Sequence, residues 1–216
     1  MSATDAQTSS REYVFTTRWF ELNAKNLWDR LIPQVNPRKI LEIGSFEGAS
    51  ACYMIDKLGP NHALELHCVD NWEGGIEHQN RALDMSATEQ RFHDNISRAI
   101  AASPNPVDLV IHKAYSDQAL AKLLTEGKAG YFDFIYVDGS HQAPDVLYDA
   151  VVGFKLLRIG GTMAFDDYLW SDQQAKSKDP IRMPKPAIDA FVNLNLRKLQ
   201  QLNAPSIQLY IQKIAD

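Results

Sequence analysis

The chain has 216 residues, 45% of them hydrophobic, and a formal net charge of −5. That length suits one ordinary domain with an added lid, and the apolar fraction is enough for a sizeable core. The acidic balance, with no Lys/Arg cluster, excludes an electrostatic footprint for nucleic acid. No apolar run reaches the roughly 18 residues of a membrane-spanning helix, and no signal peptide is recognisable. A cytoplasmic protein with no membrane and no nucleic-acid partner is therefore expected. Cys52 and Cys68 fall in apolar runs, where a buried free thiol is the usual state; a disulfide or zinc site would need better spacing or more ligands.

Residues 1–11 are rich in Ser, Thr, Ala and Gln and form a tail. Helical spacing is predicted over 12–32, with Phe20, Ala24, Leu27, Trp28 and Leu31 on one face and Tyr13, Phe15 and Trp19 as an aromatic cluster ahead of it. This segment, 1–35, reads as a tail and an edge helix, with a lid over a substrate pocket or a homodimer contact as its functional alternatives. Pro33 and Pro37 close it. The main domain is then 36–216.

A short apolar strand follows, Lys39-Ile40-Leu41-Glu42-Ile43, then a glycine turn, then a helix to about Leu58. Gly59-Pro60 is predicted to end that helix, with Gly59 in a left-handed cap. A second strand, 63–70, ends in Asp70. Residues 73–88 form a polar stretch long enough to be a functional loop. A helix over 87–102, a strand over 107–112 and a helix from Ser116 to Glu126 come next; Ser116 and Asp117 suit helix capping. The strand 132–138 runs into Gly139-Ser140-His141, a helix spans 144–157, and Gly160-Gly161 precede a strand, 162–165, that ends in Asp166-Asp167. A loop over 170–184, a helix over 185–195 and a hairpin of 196–202 with 207–213 complete the chain. The sum is an α/β fold: one doubly wound, mostly parallel seven-stranded sheet with an antiparallel C-terminal hairpin.

The glycine turn carries most of the chemistry. A strand feeding a helix through glycines places backbone N–H groups at the strand's carboxyl end, where open α/β sheets bind cofactors. The spacing is Gly44-x-x-x-Gly48, with Phe46 where a dinucleotide fingerprint needs its middle glycine, and no Walker-type Gly-Lys-Ser/Thr follows. Glu42, two residues before Gly44, suits a ligand carrying a cation, such as S-adenosylmethionine, better than one carrying phosphates. A plain turn that binds nothing is the alternative. Asp70 can accept ribose hydroxyls or cap the next turn, and Trp72 can flank an adenosine or sit in the core.

The run Leu41-Glu42-Ile43-Gly44 with Gly48, then Val69-Asp70-Asn71-Trp72-Glu73-Gly74-Gly75, then Tyr136-Val137-Asp138-Gly139-Ser140-His141, then Gly160-Gly161 before Asp166-Asp167, resembles class I S-adenosylmethionine-dependent methyltransferases. It is most similar to the small bacterial branch related to metal-dependent O-methyltransferases of the catechol and caffeoyl-coenzyme A type. The resemblance covers about residues 38–170 and the closing hairpin. It implies a Rossmann-like fold in which Gly44, Ser45 and Gly48, with Glu42 nearby, hold the methionine part of the cofactor. Asp70, with Asn71 and Trp72 beside it, holds the ribose, Tyr115 and Ser116 border the adenine, and Asp138 lies close to the cofactor. It also implies Mg²⁺ bound by Asp138, Asp166 and Asp167. Relatives of the catechol type keep a Lys where this chain has His141, and a His can serve as the base near neutral pH.

A metal is also favoured on physical grounds, because three carboxylates converging at one sheet edge repel one another and a hard cation relieves them. The alternative is that Asp138, Asp166 and Asp167 cap turns and are solvated. The expected reaction is methyl transfer to a hydroxyl of a small molecule with Mg²⁺ assistance, with His141 and Asp138 as catalytic residues. Trp72, His78, Tyr168 and Trp170 suggest a partly aromatic pocket. The competing functions are a metal-independent N- or O-methyltransferase, an NAD-dependent oxidoreductase, and a non-catalytic Rossmann-like binding module.

Overall fold

A computed structural model describes residues 12–76, 82–171, 179–204 and 207–216. The elements are α1 (Trp19–Asn23), α2 (Lys25–Val35), β1 (Lys39–Ile43), α3 (Ala49–Leu58), β2 (Leu64–Val69), α4 (Met85–Ala102), β3 (Val107–His112), α5 (Ser116–Thr125), β4 (Phe132–Val137), α6 (Ala143–Leu156), β5 (Leu157–Phe165), α7 (Pro184–Leu194), β6 (Leu199–Leu202) and β7 (Leu209–Lys213). The seven strands form one sheet in the order β3-β2-β1-β4-β5-β7-β6. Pairing is parallel from β3 through β5, and β7 is antiparallel to both β5 and β6. The doubly wound fold with its antiparallel end is as expected.

The central strands β1, β2 and β4 are buried on both faces, so period-two alternation sorts their side chains between two cores rather than between core and water. Leu41, Ile43, Ile135 and Val137 face the core under α5, α6 and α7. Ile40, Phe134 and Tyr136 face the core under α2, α3 and α4. The same alternation points Glu42 toward α3. Each buried Leu, Ile or Phe in these layers contributes roughly 1.5–3 kcal/mol. Trp28 of α2 is fully enclosed, packing edge-on against Tyr136 and Phe134 and donating from Nε1 to the Tyr210 hydroxyl at 2.8 Å.

Several boundaries differ from expectation for identifiable reasons. Residues 12–18 form neither helix nor strand, because their backbone groups are taken by side chains of α4 and of the glycine turn. The helix beyond passes through Pro33 and stops at Asn36, which adopts φ +45. Gly59 is right-handed, at φ −54. A Cβ there would meet the Ser103 hydroxyl at 2.5 Å, so the glycine permits close approach rather than a left-handed cap. β5 begins at Leu157, earlier than Gly160-Gly161 suggested; Leu157 pairs with Phe132, and an irregularity in register absorbs Gly160 at φ +81. Residues 196–198 do not join β6. The tail 1–11, His78 and residues 172–178 of the 170–184 loop lie outside the described residues.

Candidate active site

The sheet brings the ends of β1, β2, β4 and β5 to one edge. The turn after β1 passes through Gly44 at φ +88, Phe46 at φ +47 and Gly48 at φ +81 before entering α3. A Cβ on Gly44 would lie 2.0 Å from the Asp138 carbonyl oxygen, so only glycine lets the turn press against the end of β4. Phe46 holds a left-handed conformation that costs a side-chain-bearing residue about 1 kcal/mol or more. Asp70 accounts for its persistence. Its Oδ2 accepts the N–H groups of Ser45 at 3.0 Å and Phe46 at 2.9 Å, and its Oδ1 accepts that of Trp72 at 2.7 Å. Trp72 in turn donates from Nε1 to the Phe46 carbonyl at 2.9 Å. The missing middle glycine is thus replaced by a phenylalanine that these bonds clamp.

Beneath the turn Glu42 is buried and accepts from the Ser50 hydroxyl through Oε1. Burial pushes its carboxyl up to about 7, against the pull of the nearby hydroxyls. Among the described residues its Oε2 and the Ser45 hydroxyl complete no hydrogen bond, although the Ser45 hydroxyl lies near enough to favour the charged carboxylate. Unsatisfied buried polar atoms are rare, and beside a cleft they mark where a ligand's donor can enter.

At the neighbouring strand ends, Val137 pairs with Phe165, which sets Asp138 and Asp166 level. Carboxylate oxygens of Asp138, Asp166 and Asp167 all lie within 4.8 Å of one another. Burial, then the charges of Asp166 and Asp167, push the Asp138 carboxyl well above its ordinary range. Asp166 rises to about 6, also from burial and then Asp167, although Tyr136 donates to it at 2.7 Å and Gln208 also donates to it. His141 lies with Nε2 2.8 Å from Asp167 Oδ2, and its ring stacks on Trp170 at 4.1 Å and 10°. The carboxylate fixes the rotation of the imidazole and the indole fixes its plane.

A cleft of about 890 Å³ joins the two regions, within the range of about 300–1,000 Å³ usual for small-molecule sites. It is lined by Gly44, Ser45, Asp70, Asn71, Tyr115, Ser116, Asp138, His141, Asp166, Asp167 and Trp170. Glu42, Gly48, Trp72 and Tyr168 are not among the lining residues. Glu42 sits behind the turn and Gly48 abuts Phe92. Trp72 packs in the core against Phe92 and His93, and Tyr168 donates to Asp189. Sequence reasoning missed Ser50, which stands two residues after Gly48 in the first turn of α3, where its place behind the glycine turn could have marked it. It also missed Gln142 and Tyr148, which line the cleft from the start of α6, where no local pattern marks them.

A family model described as "Methyltransferase domain" matches residues 41–168, more than half of the chain. This chain belongs to that methyltransferase family. A probable caffeoyl-CoA O-methyltransferase 3 of Dictyostelium discoideum is 24% identical over 197 residues, covering 88% of this chain and 68% of its own. A caffeoyl-CoA O-methyltransferase of Populus kitakamiensis is 24% identical and covers 76% and 63% respectively. The fold matches the O-methyltransferase TomG of Streptomyces achromogenes, solved with SAM (TM-score 0.59, 18% identity, 88% of this chain and 78% of that one). It also matches an O-methyltransferase of Bacillus cereus in complex with SAH (TM-score 0.58, 19% identity, 94% and 84%). The named relatives and both of these structures are O-methyltransferases, and the two structures were solved with SAM or SAH. No helix among the described residues is long and apolar enough to cross a membrane.

Proposed function

We propose that this methyltransferase acts on a hydroxyl of a small molecule bearing adjacent oxygens, with Mg²⁺ held by Asp138, Asp166 and Asp167. The observation that carries the reading is the crowding of three carboxylates within 4.8 Å on the same cleft as the glycine turn. Burial and then that crowding raise the proton affinity of Asp138 and Asp166; an all-oxygen, acidic donor set fits a hard divalent cation. When bound, such a cation supplies Lewis-acid polarisation of a substrate oxygen.

The remaining roles belong to the chain. Asp70 already accepts three backbone N–H bonds, which leaves about one acceptor position, on Oδ1, for a ribose hydroxyl. Gly44 and Ser45 border the methionine end, where the Ser45 hydroxyl suits its ammonium group, while Glu42 stands behind the turn and supports it through Ser50. Asn71, Tyr115 and Ser116 border the nucleoside. His141 takes the hydroxyl proton, and Asp167 at 2.8 Å stabilises the resulting imidazolium. The walls hold acceptor and donor in line and exclude water.

The test is methyl transfer from radiolabelled S-adenosylmethionine to a panel of catechols and simpler phenols, in Mg²⁺ and in EDTA. Turnover of vicinal diols that stops in EDTA and returns with Mg²⁺ supports the reading. Equal turnover in EDTA would refute the metal role and leave the His141–Asp167 pair as a metal-independent base.

A further inference from the structure

One wall of the cleft is attached through a residue that the reaction does not use. Residues 12–18 cross α3 and α4 as neither helix nor strand and then deliver Thr17, Trp19 and Phe20 to the cleft. Their central attachment is Glu47, only 1% exposed, inside the glycine turn itself. Glu47 Oε2 accepts the Thr16 N–H at 2.7 Å; its Oε1 accepts the Thr16 hydroxyl at 2.7 Å and Arg91 Nε at 2.5 Å. Asn95, fully buried, reinforces the joint. It accepts the Val14 N–H at 2.9 Å and donates to the carbonyls of Val14 and Glu47, both at 3.0 Å. Above the joint the Trp19 ring lies 5.2 Å from that of Phe46, the left-handed residue of the same turn.

The energetics make this joint a coupling. A buried carboxylate is tolerated only while paired, and removing its partners is strongly destabilising. If residues 12–18 lift away, Glu47 loses both Thr16 donors and keeps Arg91 alone. Order in the turn and attachment of the strap therefore rise and fall together. A ligand that orders the turn must stabilise the strap, and by reciprocity the strap must retain the ligand.

We propose that Glu47 is a positioning residue that latches the N-terminal strap to the cofactor turn, so that S-adenosylhomocysteine in the cleft holds residues 12–18 down and is itself retained by them. The proposal rests on the methyltransferase reading, since the turn must hold that cofactor.

The experiment uses the full chain as wild type, Thr16→Val and Glu47→Gln. Hydrogen exchange of the peptide spanning 12–18 is followed with and without saturating S-adenosylhomocysteine, and ligand dissociation is followed by stopped-flow tryptophan fluorescence. In wild type the ligand slows exchange in the strap. Both variants lose most of that protection and release the ligand about tenfold faster, with association nearly unchanged. Thr16→Val leaves the turn's carboxylate in place, so the test survives if Glu47→Gln fails to fold. A merely structural latch would lower the melting temperature without moving the dissociation rate. Ligand binding with unchanged strap exchange, or unaltered dissociation in the variants, overturns the latch alone. No binding of S-adenosylhomocysteine by wild type overturns the methyltransferase reading and the latch with it.

Discussion

Asp70 and the trio Asp138, Asp166 and Asp167 stand at strand ends on the same cleft, yet their charges are handled in opposite ways. Asp70 is answered from within: three backbone N–H groups point at it, and in return it orders the glycine turn. The trio is answered only in part, and Asp138 and Asp166 are driven toward protonation by burial and by their neighbours. A carboxylate that the fold satisfies serves to shape a site. Carboxylates that the fold crowds together await something from outside. On the proposed reading the first region is preorganised for the cofactor, and the second would hold a cation and the acceptor it carries.

The largest effect that could break this contrast is at the trio. Asp138→Asn or Asp167→Asn should lower methyl transfer by about a thousandfold or more, as loss of Lewis-acid assistance and base orientation predicts. Calorimetry should show the heat of Mg²⁺ binding gone and S-adenosylhomocysteine affinity nearly unchanged. The reverse pattern is expected at the other region. Asp70→Ala should weaken S-adenosylhomocysteine by about a hundredfold, since the turn loses its anchor as well as a ribose contact, while the Mg²⁺ heat persists. If both variants lost both ligands, the two regions would not be separable and the contrast would fall.

Two positions outside the cleft lining repeat the contrast and sharpen it. Asp149 of α6 resembles the trio: it is 1% exposed and, among the described residues, neither carboxylate oxygen completes a hydrogen bond, with the Ser116 hydroxyl merely nearby. Burial raises it from 3.8 to about 7, with the Ser116 hydroxyl offsetting part of the effect. Because the folded value exceeds the unfolded one, the unfolded chain releases its proton first, and stability falls as pH rises from about 4 to about 7. Asp149→Asn should therefore stabilise the protein by roughly 2–3 kcal/mol at pH 8 and little at pH 4, read by urea denaturation at both values. An unstabilised variant at pH 8 would mean that Asp149 has an ionised-state partner after all.

The His67 and His112 pair resembles Asp70 in being answered internally. His67 Nε2 lies 2.9 Å from Glu65 and its Nδ1 lies 2.9 Å from His112 Nε2, an arrangement that suits two neutral rings. Burial and then the adjacent His67 lower His112 from 6.5 to about 4. Here the folded value lies below the unfolded one, so stability is full above about pH 6.5 and declines as pH falls toward 4. Discounted for partial exposure, the loss is about 1 kcal/mol, and His112→Gln should flatten it in melting curves taken between pH 7 and 4.5.

Much of this was legible in the sequence because it is local. The alternation in Leu41–Ile43 and Phe134–Val137, the glycines at 44 and 48 and the acids ending three strands are properties of short windows, and they set out the sheet and its edge. The N-terminal segment was misread for the opposite reason. Its aromatic spacing is helical, but the partners that hold residues 12–18 out of a helix are Glu47 and Asn95, 31 and 81 residues away from Thr16 and Val14. Nothing local announces such bonds. Trp72 shows the same limit from the other side: its position beside Asp70 suggested the cofactor, while its packing on Phe92 puts it in the core.

The sequence by itself determined the order of strands and helices, the glycine turn after β1 and the identity of the acids at the edge, since each follows from residue type and short-range spacing. Only the tertiary structure decided which of those acids are satisfied and which are crowded. It also decided that Phe46 could stand where a glycine was expected, and that the N-terminal segment would wall the cleft. Those outcomes depend on which groups distant in the chain come within hydrogen-bond or Coulomb range of one another. That distance is fixed by the packing of the sheet and its helices, and by no residue's own preference.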